Sequence, residues 1–140
     1  VNQSTAGEPV RQLTLEETWD MLSNDPGAVL VDVRTMAEWN FVGVPDLSSI
    51  GKEVRLVEWT SYPTGAPNPG FIDQTTEGVR PDQHILVLCR SGARSQAAAE
   101  ALKGAGYANA HNVSAGFEGG VGPDRHRHGG WKEDLPWIQG

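Results

Sequence analysis

The sequence predicts an α/β fold: a three-layer sandwich with a mostly parallel central sheet of about five strands. Two observations carry this. The runs Ala28-Val29-Leu30-Val31-Asp32-Val33 and His84-Ile85-Leu86-Val87-Leu88 are apolar with almost no polar alternation. That is the pattern of strands buried on both faces, as in a parallel sheet covered by helices. Segments of helical period alternate with these runs along the chain, the arrangement that builds layered α/β domains.

Taken in order, the first element opens at Thr14. Thr14 followed by Glu17 forms a capping box, in which hydroxyl and carboxylate reciprocally satisfy free backbone N–H groups. Leu15, Trp19 and Leu22 then fall on one face of an amphipathic helix, and Asp25-Pro26-Gly27 ends it with turn chemistry. After the strand at residues 28–33, a short helix is expected at 35–39, with Pro45 stopping regular structure soon afterwards. Residues 54–59 alternate apolar and charged side chains and read as a strand near the sheet edge. Pro63, Gly65, Pro67 and Pro69 make residues 60–70 a loop, and a helix is expected at 71–79. The second buried strand, at 84–88, leads through a polar turn into an alanine-rich helix at 95–105. Ala98, Ala101, Leu102 and Ala105 are expected to line its buried face, and Gly104 and Gly106 to stop it. Residues 110–113 form a further strand. Beyond them the chain is Gly-rich and partly basic, with Trp131 and Trp137 as expected anchors. There is no internal repeat.

At 140 residues the chain is one domain of ordinary size, with residues 1–9 read as a flexible leader and 10–140 as a single domain. Such a length buries roughly 68% of the unfolded chain's surface, so a core needs no staple. The AVILMFWYC class is 38% and charged residues 21%, too apolar for a disordered chain. No stretch approaches about 18 apolar residues, which argues against a membrane span. A net charge of −7 argues against nucleic acid as a partner. The single cysteine, Cys89, permits no intrachain disulfide. With neither a basic patch nor an apolar stretch in residues 1–8, it makes a reducing cytoplasm the expected location.

The informative segment is Cys89-Arg90-Ser91-Gly92-Ala93-Arg94-Ser95, between a buried strand and a helix start. Ligand sites of open α/β sheets lie outside the carboxyl ends of strands, where Cys89 falls. Backbone N–H groups of a tight loop entering a helix converge on one point, aided by the helix dipole. Gly92 permits the dihedrals such a curl requires, while Arg90 and Arg94 add two positive charges. The result is an anion cradle around a sulfur. Its field favours the nucleophilic thiolate, and its N–H groups would stabilise negative charge on an added sulfur or a bound oxyanion. A lone cysteine ending a buried strand is more often a small core hydrophobe. A core cysteine, however, has no use for two arginines, a glycine and two serines directly after it.

This loop resembles the active-site loop of the rhodanese-like sulfurtransferases. The resemblance extends over roughly residues 13–137. It includes Val31-Asp32-Val33-Arg34 with Glu38 and Trp39, the alanine-rich helix ending at Gly106-Tyr107, and the late Ala115-Gly116-Phe117, Gly130-Trp131 and Leu135-Pro136-Trp137. It implies that Cys89 attacks the outer sulfur of thiosulfate or a persulfide and holds that sulfur as a persulfide. A thiol, a sulfur-accepting protein or cyanide then removes it. Arg90 and Arg94 would hold the small anionic donor, and the amides of Ser91, Gly92, Ala93, Arg94 and Ser95 would cradle the persulfide. No metal or organic cofactor is implied. The chain departs from the family pattern at Phe41-Val42-Gly43-Val44-Pro45-Asp46 and in the run Asp124-Arg125-His126-Arg127-His128. Both departures bear on donor and acceptor choice.

Two other functional readings compete. A cysteine phosphatase or arsenate reductase needs an arginine six positions after the nucleophile, and here Arg94 stands at five. A non-catalytic rhodanese-like binding module commonly lacks the cysteine or the loop arginines, and both are present. His126 and His128, with His84 and His111 elsewhere, read as solvated or structural histidines rather than metal ligands. Asp32 and Arg34 read as stiffening groups, with Asp32 accepting hydrogen bonds from the cysteine loop or from the segment after Arg34. Trp59 is placed at the mouth of the site.

Overall fold

The computed structural model describes residues 9–139. The chain opens with strand β1 (Arg11–Leu13), helix α1 (Leu15–Asn24), strand β2 (Val29–Asp32) and helix α2 (Met36–Phe41). There follow β3 (Val44–Pro45), a 3-10 turn (Ser48–Ile50), β4 (Arg55–Leu56) and α3 (Phe71–Thr76). The second half contains β5 (Ile85–Leu88), α4 (Ala93–Gly104), β6 (Ala110–Val113), β7 (Gly119–Val121), β8 (Arg127–Gly129), α5 (Trp131–Asp134) and β9 (Trp137–Ile138). The leader expected at residues 1–9 lies outside the described residues except for Pro9.

Five strands form one sheet in the order β1-β6-β5-β2-β4, and every pairing in it is parallel. The alternation of side chains along β5 divides the core in two. Ile85, Val87 and Cys89 face the layer of α3 and α4, with Phe71, Ala98, Ala99 and Leu102. Leu86 and Leu88 face the opposite layer, with Leu22 of α1 and Trp131 of α5. This is the three-layer α/β sandwich expected from the apolar runs. The chain leaves β2 towards β4 on one side and leaves β5 towards β6 on the other. The crevice beyond the carboxyl ends of these two neighbours is the position where such sheets bind ligands.

Local signals account for several boundaries. Thr14 Oγ1 accepts from the Glu17 amide at 3.0 Å, and the Glu17 carboxylate accepts from the Thr14 amide at 2.9 Å, completing the expected capping box. Thr35 and Glu38 repeat the device at the start of α2. At the far end of α4, the Gly106 amide donates to Lys103 O and the Tyr107 amide to Leu102 O, with Gly106 at φ 102°. That is a Schellman stop.

Other boundaries differ from the sequence reading. Helix α4 starts at Ala93, two residues early, so Arg94 and Ser95 belong to its first turn. Its buried face is Ser95, Ala98, Ala99, Leu102 and Lys103, whereas Ala105 is exposed. Ala105 is the C-cap, past the last helical residue Gly104, and so does not turn back onto the sheet. Pro45 is the last residue of β3, a short strand missing from the sequence reading, which pairs antiparallel with β9 and ties the C-terminal segment to the body. The edge strand is shorter than residues 54–59, and α3 ends at Thr76 rather than near 79. Trp59 is partly buried against the core, edge-on to Phe71 with ring centroids 5.0 Å apart.

Candidate active site

Cys89 follows β5 directly and its side chain is buried, 1% exposed. The Gly92 amide donates to Cys89 Sγ at 3.1 Å, and Ser95 Oγ lies 3.2 Å from the same sulfur. The loop therefore curls back over the thiol. Gly92 makes the curl possible: it sits at φ 104°, and a Cβ there would fall 2.5 Å from Ser114 O. Only glycine meets both conditions. Among the described residues, no hydrogen-bond acceptor serves the amides of Ser91, Ala93, Arg94 or Ser95. These are donors at the first turn of a twelve-residue helix, left free beside a sulfur.

Behind the thiol stands a residue that sequence reading missed. Asn112, buried on β6, places Oδ1 2.6 Å from Ser95 Oγ. Its Nδ2 donates to Gly92 O at 3.1 Å and to Gln12 Oε1 at 2.8 Å. Gly92 O is purely an acceptor, so the amide orientation is fixed with Oδ1 towards Ser95. A hydroxyl carries one proton, and the shorter contact goes to Asn112. Cys89 Sγ, at 3.2 Å, is the second acceptor within reach of the same hydroxyl proton.

The two arginines are less free than the sequence suggests. Arg94 makes a bidentate pair with Glu38, at 2.6 and 2.9 Å. Burial acts to raise the Glu38 carboxyl, but the hydrogen bonds and charge of Arg94 outweigh it and hold the group below the ordinary carboxylate range. Arg94 is raised in turn by its hydrogen bond to Glu38, with smaller help from the charges of Cys89 and Asp32. Arg90 pairs with Glu118 at 3.2 Å and is about half exposed. Each expected anion-binding charge thus has a carboxylate partner.

Asp32 and Arg34 are fully buried, but Asp32 does not receive the cysteine loop or the segment after Arg34. Asp32 accepts from Arg34 itself, from its amide at 3.1 Å and from Nη2 at 2.6 Å. Arg34 Nη2 also donates to Gly43 O at 2.7 Å, and the guanidinium lies 4.2 Å from the Phe117 ring centroid. The Phe117 amide donates to Cys89 O at 2.7 Å. The pair thus reaches the cysteine loop only through Phe117, one step removed from the expected contact.

The histidines lie apart from the thiol. His84 Nδ1 and His111 Nε2 are 2.8 Å from each other, while His128 bonds Asp124 at 2.8 Å. Among the described residues, no group of three or more His, Cys, Asp and Glu side chains is arranged to hold a metal ion. Among the same described residues, no helix is long and apolar enough to cross a membrane.

Comparison with known proteins agrees with this fold. A profile of the rhodanese-like domain matches residues 14–122. The chain belongs to the rhodanese-like domain family. It is similar in structure to Rv0390 from M. tuberculosis, with a TM-score of 0.86 and 46% identity, covering 95% of this chain and all of that one (100%). An uncharacterized protein of Rickettsia conorii is 37% identical over 131 residues, 91% of this chain and 97% of its own. Thiosulfate sulfurtransferase 18 of Arabidopsis thaliana is 30% identical over 118 residues, 84% of this chain and 82% of its own.

Proposed function

We propose that the protein is a sulfurtransferase that carries a sulfane sulfur on Cys89. One observation carries the reading: a buried thiol at the end of β5 accepts the Gly92 amide, while four further amides of the same loop stand without acceptors among the described residues. In the first step the Cys89 thiolate attacks the outer sulfur of a donor such as thiosulfate. The S–S bond breaks, sulfite leaves with the bonding pair, and Cys89 is left as a persulfide. The amides of Ser91, Ala93, Arg94 and Ser95, with the dipole of α4, stabilise the negative outer sulfur. Arg90 and Arg94 add positive charge around the entering donor.

In the second step an external nucleophile takes the outer sulfur and returns the thiolate. A small thiol, a sulfur-accepting protein or cyanide can serve, and the acceptor must be external because the chain has one cysteine. Every bond change is made between sulfur atoms and the acceptor, so the route calls for neither a metal nor an organic cofactor. The 30% identity to thiosulfate sulfurtransferase 18 supports the same chemistry. The test is thiocyanate formation from thiosulfate and cyanide. The wild type should turn over and Cys89→Ser should fall to background with its fold intact. Turnover retained by Cys89→Ser would contradict the assignment.

A further inference from the structure

Strands β7 and β8 form a hairpin whose turn carries the run Asp124-Arg125-His126-Arg127-His128, which the chemistry at Cys89 leaves unused. Between this hairpin and α5 lies a groove of about 450 Å³. Arg90, Arg125, Arg127 and Lys132 line it, together with Glu118 and Glu133. Four of the chain's eleven lysines and arginines thus gather on one surface of a protein whose net charge is −7. The two carboxylates are engaged. Glu118 pairs with Arg90 at 3.2 Å, while Glu133 accepts from the Gly129 amide and faces His128. Among the described residues, no carboxylate forms an ion pair with Arg125, Arg127 or Lys132. Arg127 donates to Gly119 O at 2.8 Å and Lys132 lies 4.4 Å from the Trp137 ring centroid, and neither contact cancels a charge. Arg125 stands at φ 66°, which arginine rarely adopts and glycine adopts freely. An arginine kept where glycine would fit more easily points to a use for its charge.

The hairpin is fixed to the cysteine loop. The amides of Glu118 and Gly119 both donate to Arg90 O, at 3.0 and 3.2 Å, and a Cβ on Gly116 would fall 2.4 Å from that oxygen. Whatever binds the hairpin is therefore held beside Cys89. We propose that this groove docks an acidic segment of the protein that accepts sulfur from Cys89. This rests on the sulfur-transfer reading and names the partner for its second step. Cations spread over a loop, a turn, a strand and a helix match a run of carboxylates, whereas a small thiol brings only one or two. The rest of a −7 surface repels an acidic protein, so complementary charge here also fixes how the partner approaches. In the transfer itself, the partner's thiolate attacks the outer sulfur of the Cys89 persulfide. The S–S bond breaks, the bonding pair leaves on the Cys89 thiolate, and the partner keeps the sulfur as a persulfide. No oxidant or reductant takes part.

The probes are a peptide with one cysteine followed by a run of glutamates, its glutamine counterpart, and glutathione. Fluorescence anisotropy first measures peptide binding to Cys89→Ser, where no sulfur moves. The glutamate peptide should bind more tightly than the glutamine one. Arg125→Glu with Lys132→Glu should weaken it at least about fivefold at low salt, where exposed charges are least screened. Transfer is then followed from native Cys89 loaded with sulfur by thiosulfate. The same substitutions should slow transfer to the glutamate peptide by a similar factor and leave transfer to the glutamine peptide, glutathione and cyanide little changed. Arg125→Glu alone, at an exposed residue, should give part of the loss, which keeps the test decisive if melting curves show the double variant unfolded. Equal behaviour of the two peptides, or a loss shared by glutathione, would overturn the docking proposal and leave the sulfur-transfer reading standing. Tighter charge-dependent binding of a uridine oligonucleotide would also overturn it. Charge-dependent binding of the glutamate peptide by a chain that moves no sulfur to any acceptor would overturn the sulfur-transfer reading and leave the groove as a docking surface.

Discussion

Ser95 Oγ lies 2.6 Å from Asn112 Oδ1 and 3.2 Å from Cys89 Sγ, so one hydroxyl proton has two claimants. The fixed amide of Asn112 holds that proton in the resting site. When Cys89 becomes a thiolate, the hydroxyl must turn to the sulfur and leave Oδ1 without it. Asn112 therefore works against the thiolate, and its removal should release Ser95 to serve the sulfur. We expect Asn112→Leu to alkylate at Cys89 about tenfold faster with iodoacetamide near pH 6, the scale of a hydrogen bond to a charged group. Adding Ser95→Ala should cancel the gain. A gain that survives Ser95→Ala would show that the loop had merely loosened.

The Arg94–Glu38 pair makes a second expectation. Glu38→Gln keeps a side chain able to complete the capping box at Thr35, yet removes the charge that occupies Arg94. KM for thiosulfate should fall severalfold with kcat little changed. An unchanged or higher KM would mean that Arg94 takes no part in holding the donor.

Stability against pH should report on His111. Burial, followed by the nearby His84 and then Arg11 and Lys103, lowers its pKa to about 4 from an ordinary 6.5. The unfolded chain therefore binds a proton that the folded one refuses between those values. Stability should fall as pH drops from about 6.5 to about 4, with a slope approaching 1.4 kcal/mol per pH unit from this group. His111→Gln should flatten that part of the urea-denaturation profile. An equal slope in the variant would place the dependence elsewhere.

What could be read in the sequence follows from the range of each interaction. The strands at 28–33 and 84–88 were legible because burial on both faces demands an unbroken apolar run. Thr14 with Glu17 was legible because a capping box is complete within four residues, and Thr35 with Glu38 carries the same signal and could have been read the same way. The cysteine loop was legible because a strand, a glycine and a helix start occur in one short stretch. The start of α4 is not marked in the sequence because Gly92 caps it without a side-chain hydrogen bond, leaving no residue type to signal the boundary. Asn112 was not legible. It meets Ser95 from a different strand, and an asparagine in a strand gives no sign of what lies across the sheet. The same holds for Glu38, which meets Arg94 across 56 residues of chain. The pairing of Val44–Pro45 with Trp137–Ile138 was hidden because two-residue strands have no period.

The central claim is that sulfur rests on Cys89 between donor and acceptor. The most direct measurement is the intact mass of the chain after exposure to thiosulfate and removal of excess donor, with peptide mapping of any adduct. The account requires a gain of one sulfur atom on the peptide containing Cys89, lost on adding cyanide with release of thiocyanate and absent from Cys89→Ser. Thiocyanate formation by a chain that never gains that sulfur would contradict it.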